Sequence, residues 1–138
     1  MAEGTLTGGC LCGQVRFEIT KPPLFAGYCH CTRCQRRTGT AAAVSARIAP
    51  GSLRVLSGEP NIKAYRPPDG FAKVFCTHCG GALWSQSQKD PEVKSVRMGA
   101  FDADPGVRPS YRQFVAYATA WEPIPEDGLP RYPEARPS

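Results

Sequence analysis

The chain has 138 residues, enough for one domain with a buried core, and 41% of them are hydrophobic, as in ordinary globular proteins. Its formal charge of +5 would fall to about +2 if the seven cysteines held two divalent metal ions as thiolates, so the charge alone disfavours a nucleic-acid partner. No apolar run approaches the roughly 20 residues of a membrane span, which argues against a membrane helix.

The first residues contain no basic region and no apolar run, so we expect no secretory signal. A cytoplasmic location is therefore the expectation. In a reducing cytoplasm, cysteines in spaced pairs more often bind metal than form disulfides.

Short strands joined by turns are predicted along most of the chain, since 14 glycines and 14 prolines interrupt it. The clearest strand is 14–19, where apolar and polar residues alternate. Thr32 is the predicted N-cap of one helical turn that runs through Arg37 and stops at Gly39. A loop is predicted at 102–109, and a proline-rich coil follows Glu122. The other predicted strands are 24–28, 40–48, 53–56, 62–65, 71–75, 82–85, 93–98 and 114–119.

The seven cysteines fall into three tight groups: Cys10 and Cys12; Cys29, Cys31 and Cys34; Cys76 and Cys79. Disulfides fit this pattern poorly, because the number is odd and Cys-x-Cys pairs are too close to bridge without strain. Metal binding fits it well. The Cys-x-x-Cys-Gly-Gly segment that starts at Cys76, placed between two predicted strands, has the composition of a zinc knuckle.

Counting ligands favours one division of the cysteines. Cys10, Cys12, Cys76 and Cys79 would make a closed tetrahedral site of the structural kind. Cys29, Cys31 and Cys34 would remain as a three-ligand site with an open fourth position, which is how catalytic zinc is commonly held. We expect this three-Cys site to retain zinc less tightly. A division in which Cys29 or Cys31 joins Cys76 and Cys79 stays open.

Other polar residues lie close to the cysteines. His30 and His78 could act as fourth ligands, but an outward-facing or substrate-contacting role is favoured for both. Arg33, Arg36 and Arg37 follow the three-Cys group and could bind substrate carboxylates, although a solvated helix face is an equally good interpretation.

Together these motifs resemble the glutathione-dependent formaldehyde-activating family, which also includes centromere protein V. The resemblance extends from about Leu6 to Pro133 and covers all seven cysteines. The segments that carry it are Gly-Cys-Leu-Cys-Gly at 9–13, Cys-His-Cys-Thr-Arg-Cys at 29–34 with Arg-Arg-Thr-Gly at 36–39, Phe-Cys-Thr-His-Cys-Gly at 75–80, 53–60 and Asp-Gly-Leu-Pro at 127–130.

The resemblance implies a mostly-β fold of the zinc-stabilised Mss4-like type with one short helical turn, in a single domain over residues 1–138 whose core is about 6–133. It implies a structural zinc on Cys10, Cys12, Cys76 and Cys79 and a catalytic zinc on Cys29, Cys31 and Cys34. The implied activity is that of a carbon–sulfur lyase running in reverse, which joins a thiol such as glutathione to formaldehyde. One departure concerns the substrate: the family's histidine before the Phe-Val of the last strand is Gln113 here.

In an enzyme of this kind, a thiol would enter the open position of the second zinc, where coordination favours the thiolate. A non-catalytic zinc module that docks a protein or nucleic acid is the alternative, although the chain lacks a long basic arm. A redox protein that exchanges thiols at 29–34 is a third interpretation. A homodimer is compatible with the sequence.

Overall fold

The computed structural model describes residues 5–137 and confirms the mostly-β prediction. In chain order the strands are β1 Leu6–Gly9, β2 Arg16–Ile19, β3 Phe25–Cys29, β4 Ala43–Arg47, β5 Leu53–Ser57, β6 Ile62–Tyr65, β7 Ala72–Cys76, β8 Ala82–Gln86, β9 Lys94–Arg97 and β10 Pro109–Gln113. The α-helix α1, Thr32–Thr38, lies between β3 and β4. Single 3₁₀ turns occur at Glu59–Asn61, Met98–Ala100 and Val115–Tyr117. Within 5–137 no helix has the length and apolar character needed to cross a bilayer.

The strands form two sheets. The smaller sheet is antiparallel, in the order β1-β2-β5. The larger one has seven strands, in the order β10-β3-β4-β9-β8-β7-β6, and every neighbouring pair is antiparallel except β10 with β3.

The strand register gives the two faces of the larger sheet different compositions. One row of directly paired residues is apolar from edge to edge: Ala64, Val74, Trp84, Val96, Ala46 and Ala26. It packs in one core against Phe17 and Ile19 of the smaller sheet and against Val15, the residue just before β2. The adjacent row is displaced by one residue on each strand and faces the opposite side, because strand side chains alternate. That row contains Lys73, Ser85, Ser95, Arg47 and Phe25.

The helix forms where the sequence predicted one, with a different cap. Cys31, rather than Thr32, is the N-cap, and its sulfur accepts a hydrogen bond from the backbone N–H of Cys34. Gly39 ends the helix in the left-handed conformation, as predicted (φ 71°).

The predicted strand at 114–119 is wrong. The last strand is instead β10, which ends at Gln113. Phe114 adopts a left-handed conformation (φ 56°) that is rare for a large side chain, and it turns the chain into the 3₁₀ turn Val115–Tyr117. Alternating side chains alone therefore did not distinguish a strand from this turn. Strand β1 was also absent from the prediction, since its sequence Leu-Thr-Gly-Gly has little strand character.

Candidate metal centres and the cleft beside them

Four cysteines from two distant turns meet at one end of the molecule. Cys10 and Cys12 lie in the turn between β1 and β2, Cys76 is the last residue of β7, and Cys79 lies in the turn between β7 and β8. All four sulfur atoms are within 4.8 Å of one another. Gly80 (φ 76°) closes the second turn by donating its N–H to the carbonyl of Cys76 at 2.7 Å. This four-Cys cluster joins the smaller sheet to the larger one.

The geometry of the four-Cys cluster fits a tetrahedral zinc ion. The Cys10–Cys12 and Cys12–Cys76 sulfur distances are 3.6 and 4.0 Å, and sulfurs around Zn²⁺ with bonds of about 2.3 Å lie about 3.8 Å apart. The backbone N–H groups of Cys12 and Gly81 donate to Cys79 and lower the pKa of that thiol to about 6. The Val15 N–H donates to the Cys10 sulfur at 3.3 Å. Such donors favour thiolates, the form that binds metal.

The remaining cysteines form the second cluster, again within 4.8 Å of one another. Cys29 ends β3, Cys31 caps α1 and Cys34 lies buried in the first turn of that helix. Hydrogen bonds from the Cys29 and Cys34 thiols lower the pKa of Cys31, and the same contact with Cys31 raises the pKa of Cys29. Without a metal, the cluster therefore favours one ionised thiol, and that negative charge disfavours ionisation of a second thiol. A bound cation would offset the repulsion between the thiolates.

Neither histidine belongs to either cysteine cluster. His78 is exposed on the β7–β8 turn. His30 is 3% exposed, and its Nε2 lies 3.2 Å from Nη1 of Arg112, which can only donate. Burial, followed by the nearby Arg112, lowers the pKa of His30 and keeps it neutral. His30 therefore has a packing and hydrogen-bonding role.

The two clusters differ in what lies next to them. A cleft of about 680 Å³ is lined by Cys29, Cys31 and Cys34, whereas none of the four cysteines of the other cluster lines it. This volume is in the usual range for a small-molecule site. The floor of the cleft is the polar face of the larger sheet, and its walls come from α1, the loop at 69–71, β10 and the C-terminal segment. The three-Cys cluster is thus the one that a small molecule in the cleft can reach.

The three arginines proposed from sequence occupy different places. Arg33 lines the cleft and binds Asp69, with Nη2 2.5 Å from Oδ1. Arg36 is exposed and does not line the cleft; it borders an adjoining groove of about 490 Å³, which Arg33 and Lys73 line as well. Arg37 borders that groove too, but its guanidinium contacts strands β7 and β8 of the larger sheet. It donates to the carbonyls of Val74 (2.6 Å) and Trp84 (3.2 Å) and to Ser85 Oγ (3.1 Å).

Further cations in the cleft were not singled out from sequence. These are Arg47 on β4, Lys73 on β7, Arg97 on β9 and Arg136 near the C-terminus. The side chain of Arg47 stacks on Phe25 and Phe71, and that of Arg136 stacks on Phe25 and Tyr111. For Arg47, Lys73 and Arg97 only the strand register could have revealed this grouping, because it places residues from distant strands side by side.

The C-terminal segment completes the cleft. It runs beside β10, where Arg112 N–H donates to Pro130 and Tyr132 N–H donates back to Arg112. Asp127 anchors the segment by accepting from Arg112 Nε and Nη2 at 3.1 and 2.9 Å. Gln113 lines the cleft, and its side-chain oxygen accepts a hydrogen bond from the backbone N–H of Arg136. This is the position at which the sequence departs from the family pattern that it resembles. The Asp-Gly-Leu-Pro motif noted in the sequence therefore begins with a structural anchor.

Comparison with known proteins agrees with these features. The family model described as glutathione-dependent formaldehyde-activating enzyme matches residues 5–117. A Halomonas elongata protein that carries the same name as a provisional assignment is 29% identical over 105 residues, which is 72% of this chain and 67% of that protein. A crystal structure of a Rhodobacter sphaeroides protein superposes with a TM-score of 0.57 at 30% identity, covering 75% of this chain and 91% of the other. Because the family model spans most of the sequence, including all seven cysteines, the chain belongs to the glutathione-dependent formaldehyde-activating enzyme family.

Proposed function

We propose that this protein is a zinc-dependent carbon–sulfur lyase-type enzyme that joins a thiol such as glutathione to formaldehyde or a related small aldehyde. The observation that carries the proposal is the position of the three-Cys cluster in the cleft wall, with the four-Cys cluster outside the cleft. The family match and the name of the Halomonas elongata relative support the choice of reactants.

The two clusters would have different roles. Cys10, Cys12, Cys76 and Cys79 would hold a structural zinc, since four sulfur ligands close a tetrahedral site. Cys29, Cys31 and Cys34 would hold a catalytic zinc with one position left for a ligand from the cleft. Zn²⁺ at this second site supplies Lewis acidity, which lowers the pKa of a coordinating thiol to below neutrality.

The chain's own residues would bind and orient the reactants. The thiol sulfur forms a bond to the aldehyde carbon, the carbonyl electron pair moves to oxygen, and the proton lost from sulfur is balanced by one gained on that oxygen. The aromatic side chains of Phe25, Phe71 and Tyr111 limit water access on one side of the cleft. Of the three arginines, Arg33 lines the cleft beside its partner Asp69 and would be the one to contact a substrate carboxylate there.

This proposal can be tested by measuring how fast glutathione and formaldehyde exchange with S-hydroxymethylglutathione, using NMR exchange spectroscopy. The zinc-loaded wild type should raise the exchange rate at least tenfold above buffer. Cys31→Ser should abolish that increase, because it removes a ligand of the cleft site. His78→Ala should behave as wild type, since His78 is exposed and belongs to neither cluster. Full acceleration by Cys31→Ser, or none by the wild type, would refute the proposed reaction.

A further inference from the structure

The floor of the cleft is made of cations and hydroxyl groups in two adjacent rows of the larger sheet. In one row, register pairs Lys73 with Ser85, Ser85 with Ser95, and Ser95 with Arg47. In the next row of the same face, Ser45 pairs with Arg97. All six residues line the cleft that contains the three-Cys cluster.

Each serine of the floor accepts a hydrogen bond from an arginine. Arg47 Nε donates to Ser95 at 3.0 Å, Arg97 Nη1 donates to Ser45 at 2.9 Å, and Arg37 Nη1 donates to Ser85 at 3.1 Å. A serine hydroxyl has one hydrogen of its own to donate. Because the serine oxygen accepts from a guanidinium, the hydroxyl hydrogen is available to be donated to a group in the cleft. The floor therefore presents donors almost exclusively.

The positive charge of the floor has no carboxylate beside it, and its nearest anionic neighbours are the thiols of the three-Cys cluster, close to Lys73 and Arg97. Over residues 5–137, none of the ion pairs involves Arg47, Lys73, Arg97 or Arg136. Asp69 is the one carboxylate among the lining residues, and it binds Arg33. Arg97 Nε is buried and has no hydrogen-bond partner in the described part of the chain. Four cations other than Arg33 line the cleft beside a single carboxylate that Arg33 already binds, so the floor is suited to receive an anion.

We propose that this floor is a carboxylate subsite, centred on Arg97 and Lys73 with the hydroxyls of Ser45, Ser85 and Ser95, and that one of the two reactants carries the carboxylate that occupies it. The carboxylate subsite rests on the proposed function only in that the proposed reaction names the two reactants. Formaldehyde itself is neutral and needs no such floor. The carboxylate belongs either to the thiol, as in glutathione, or to the aldehyde, as in glyoxylate. The flat row of donors along a sheet suits a planar carboxylate.

Binding can be measured apart from turnover by calorimetric titration of zinc-loaded protein with two probes, S-methylglutathione and glyoxylate. S-methylglutathione keeps both carboxylates but has no thiol proton to lose. At least one probe should bind wild type, and Arg97→Met and Lys73→Met should each weaken that probe at least tenfold. Arg36→Met is the matched control, since Arg36 is exposed outside the cleft. The dimethyl ester of S-methylglutathione should bind no better to wild type than to Arg97→Met.

Turnover then identifies which reactant supplies the carboxylate. Glutathione and 2-mercaptoethanol are each tested with formaldehyde and with glyoxylate. If the thiol supplies it, Lys73→Met loses rate with glutathione and not with 2-mercaptoethanol. If the aldehyde supplies it, the loss occurs only with glyoxylate.

Two results would overturn the subsite: wild type binds neither probe, or both floor variants bind as wild type does. Tighter binding of inorganic phosphate than of either probe would overturn the carboxylate assignment. Probe binding that depends on Arg97 and Lys73, in a protein without turnover in any combination, would remove the proposed reaction and leave the subsite in place. Circular dichroism and zinc content establish that each variant is folded.

Discussion

At the residue scale, Arg37 shows how a charged side chain can serve the fold beside a site. The register shift between Val74 and Phe75 interrupts the pairing of β7 with β8. Arg37 reaches from α1 to that place and donates to Val74, Trp84 and Ser85. Burial, followed by the neighbouring Arg97, lowers its pKa to about 10, so it stays charged at neutral pH. Arg37 therefore holds the helix that carries Cys34 against the sheet.

Removing this guanidinium should destabilise the protein. Arg37→Met leaves two backbone carbonyls and a hydroxyl without their donors, and we expect the free energy of unfolding to fall by about 2–4 kcal/mol. Urea unfolding of zinc-loaded protein measures it. Arg36→Met makes the same chemical change on the exposed side of the helix and should alter stability by less than about 0.5 kcal/mol. Equal unfolding midpoints for the two variants would show that the contacts of Arg37 contribute little.

At the scale of elements, β10 and the C-terminal segment depend on one anchored cation. Arg112 is 7% exposed, lies over the ring of Tyr28 at 4.0 Å, contacts His30 and binds Asp127. The segment that supplies Arg136 to the cleft follows Asp127 directly. Asp127 has a lowered pKa, caused first by the Leu129 N–H and then by Arg112, so it is ionised at neutral pH.

Asp127→Ala should therefore lower the urea midpoint at neutral pH, because it leaves Arg112 without its carboxylate. The same change made in an Arg112→Met background should have a much smaller effect, since the partner is already absent. Glu126→Ala is the neighbouring control: Glu126 is 97% exposed, 3.8 Å from Arg131, and should contribute little. Additive effects of Asp127→Ala and Arg112→Met would contradict the coupling.

Much of this architecture could be predicted from sequence because its signals are local. The alternation in 14–19 and the turn residues around 67–70 identified β2 and the boundary before β7. The last strand could not be located, since the conformation of Phe114 depends on tertiary contacts of β10 and the C-terminal segment. Ligand counting favoured the cysteine grouping that the structure shows, although it left open a division in which Cys29 or Cys31 joins Cys76 and Cys79. The row of hydrogen-bond donors on the floor of the cleft could not be predicted from the sequence. Its members become neighbours only through pairing across four strands: Lys73, Ser85, Ser95 and Arg47.

At the scale of the whole molecule, the four-Cys cluster brings together one turn from each of the two sheets, which also share a core and the contacts of Asp102 with Thr7 and Arg16. It connects the β1–β2 turn to the β7–β8 turn, 64 positions away. A structural zinc of this kind contributes about 10–16 kcal/mol of apparent binding free energy. The total stability of a domain is about 5–15 kcal/mol. If zinc is bound there, its contribution is as large as the stability of the fold.

Metal removal should therefore act in two stages. A chelator of moderate affinity should first remove one zinc, from the three-ligand site, with little change in circular dichroism. A stronger chelator should remove the second and unfold the chain. Cys76→Ser should fail to fold, whereas Cys34→Ser should fold with one zinc per chain. A soluble Cys76→Ser protein with a cooperative thermal transition would refute the structural role of the four-Cys cluster.

The position of the two centres along the chain has a consequence for biosynthesis. Translation proceeds from the N-terminus, so the four-Cys cluster can close once Cys79 has left the ribosome. The last strand, the anchor at Asp127 and Arg136 of the cleft all follow later in the chain. A nascent chain that has released Cys79 but not yet Arg136 would therefore have an unfinished cleft, in which Cys29, Cys31 and Cys34 lack the wall that the C-terminal segment provides.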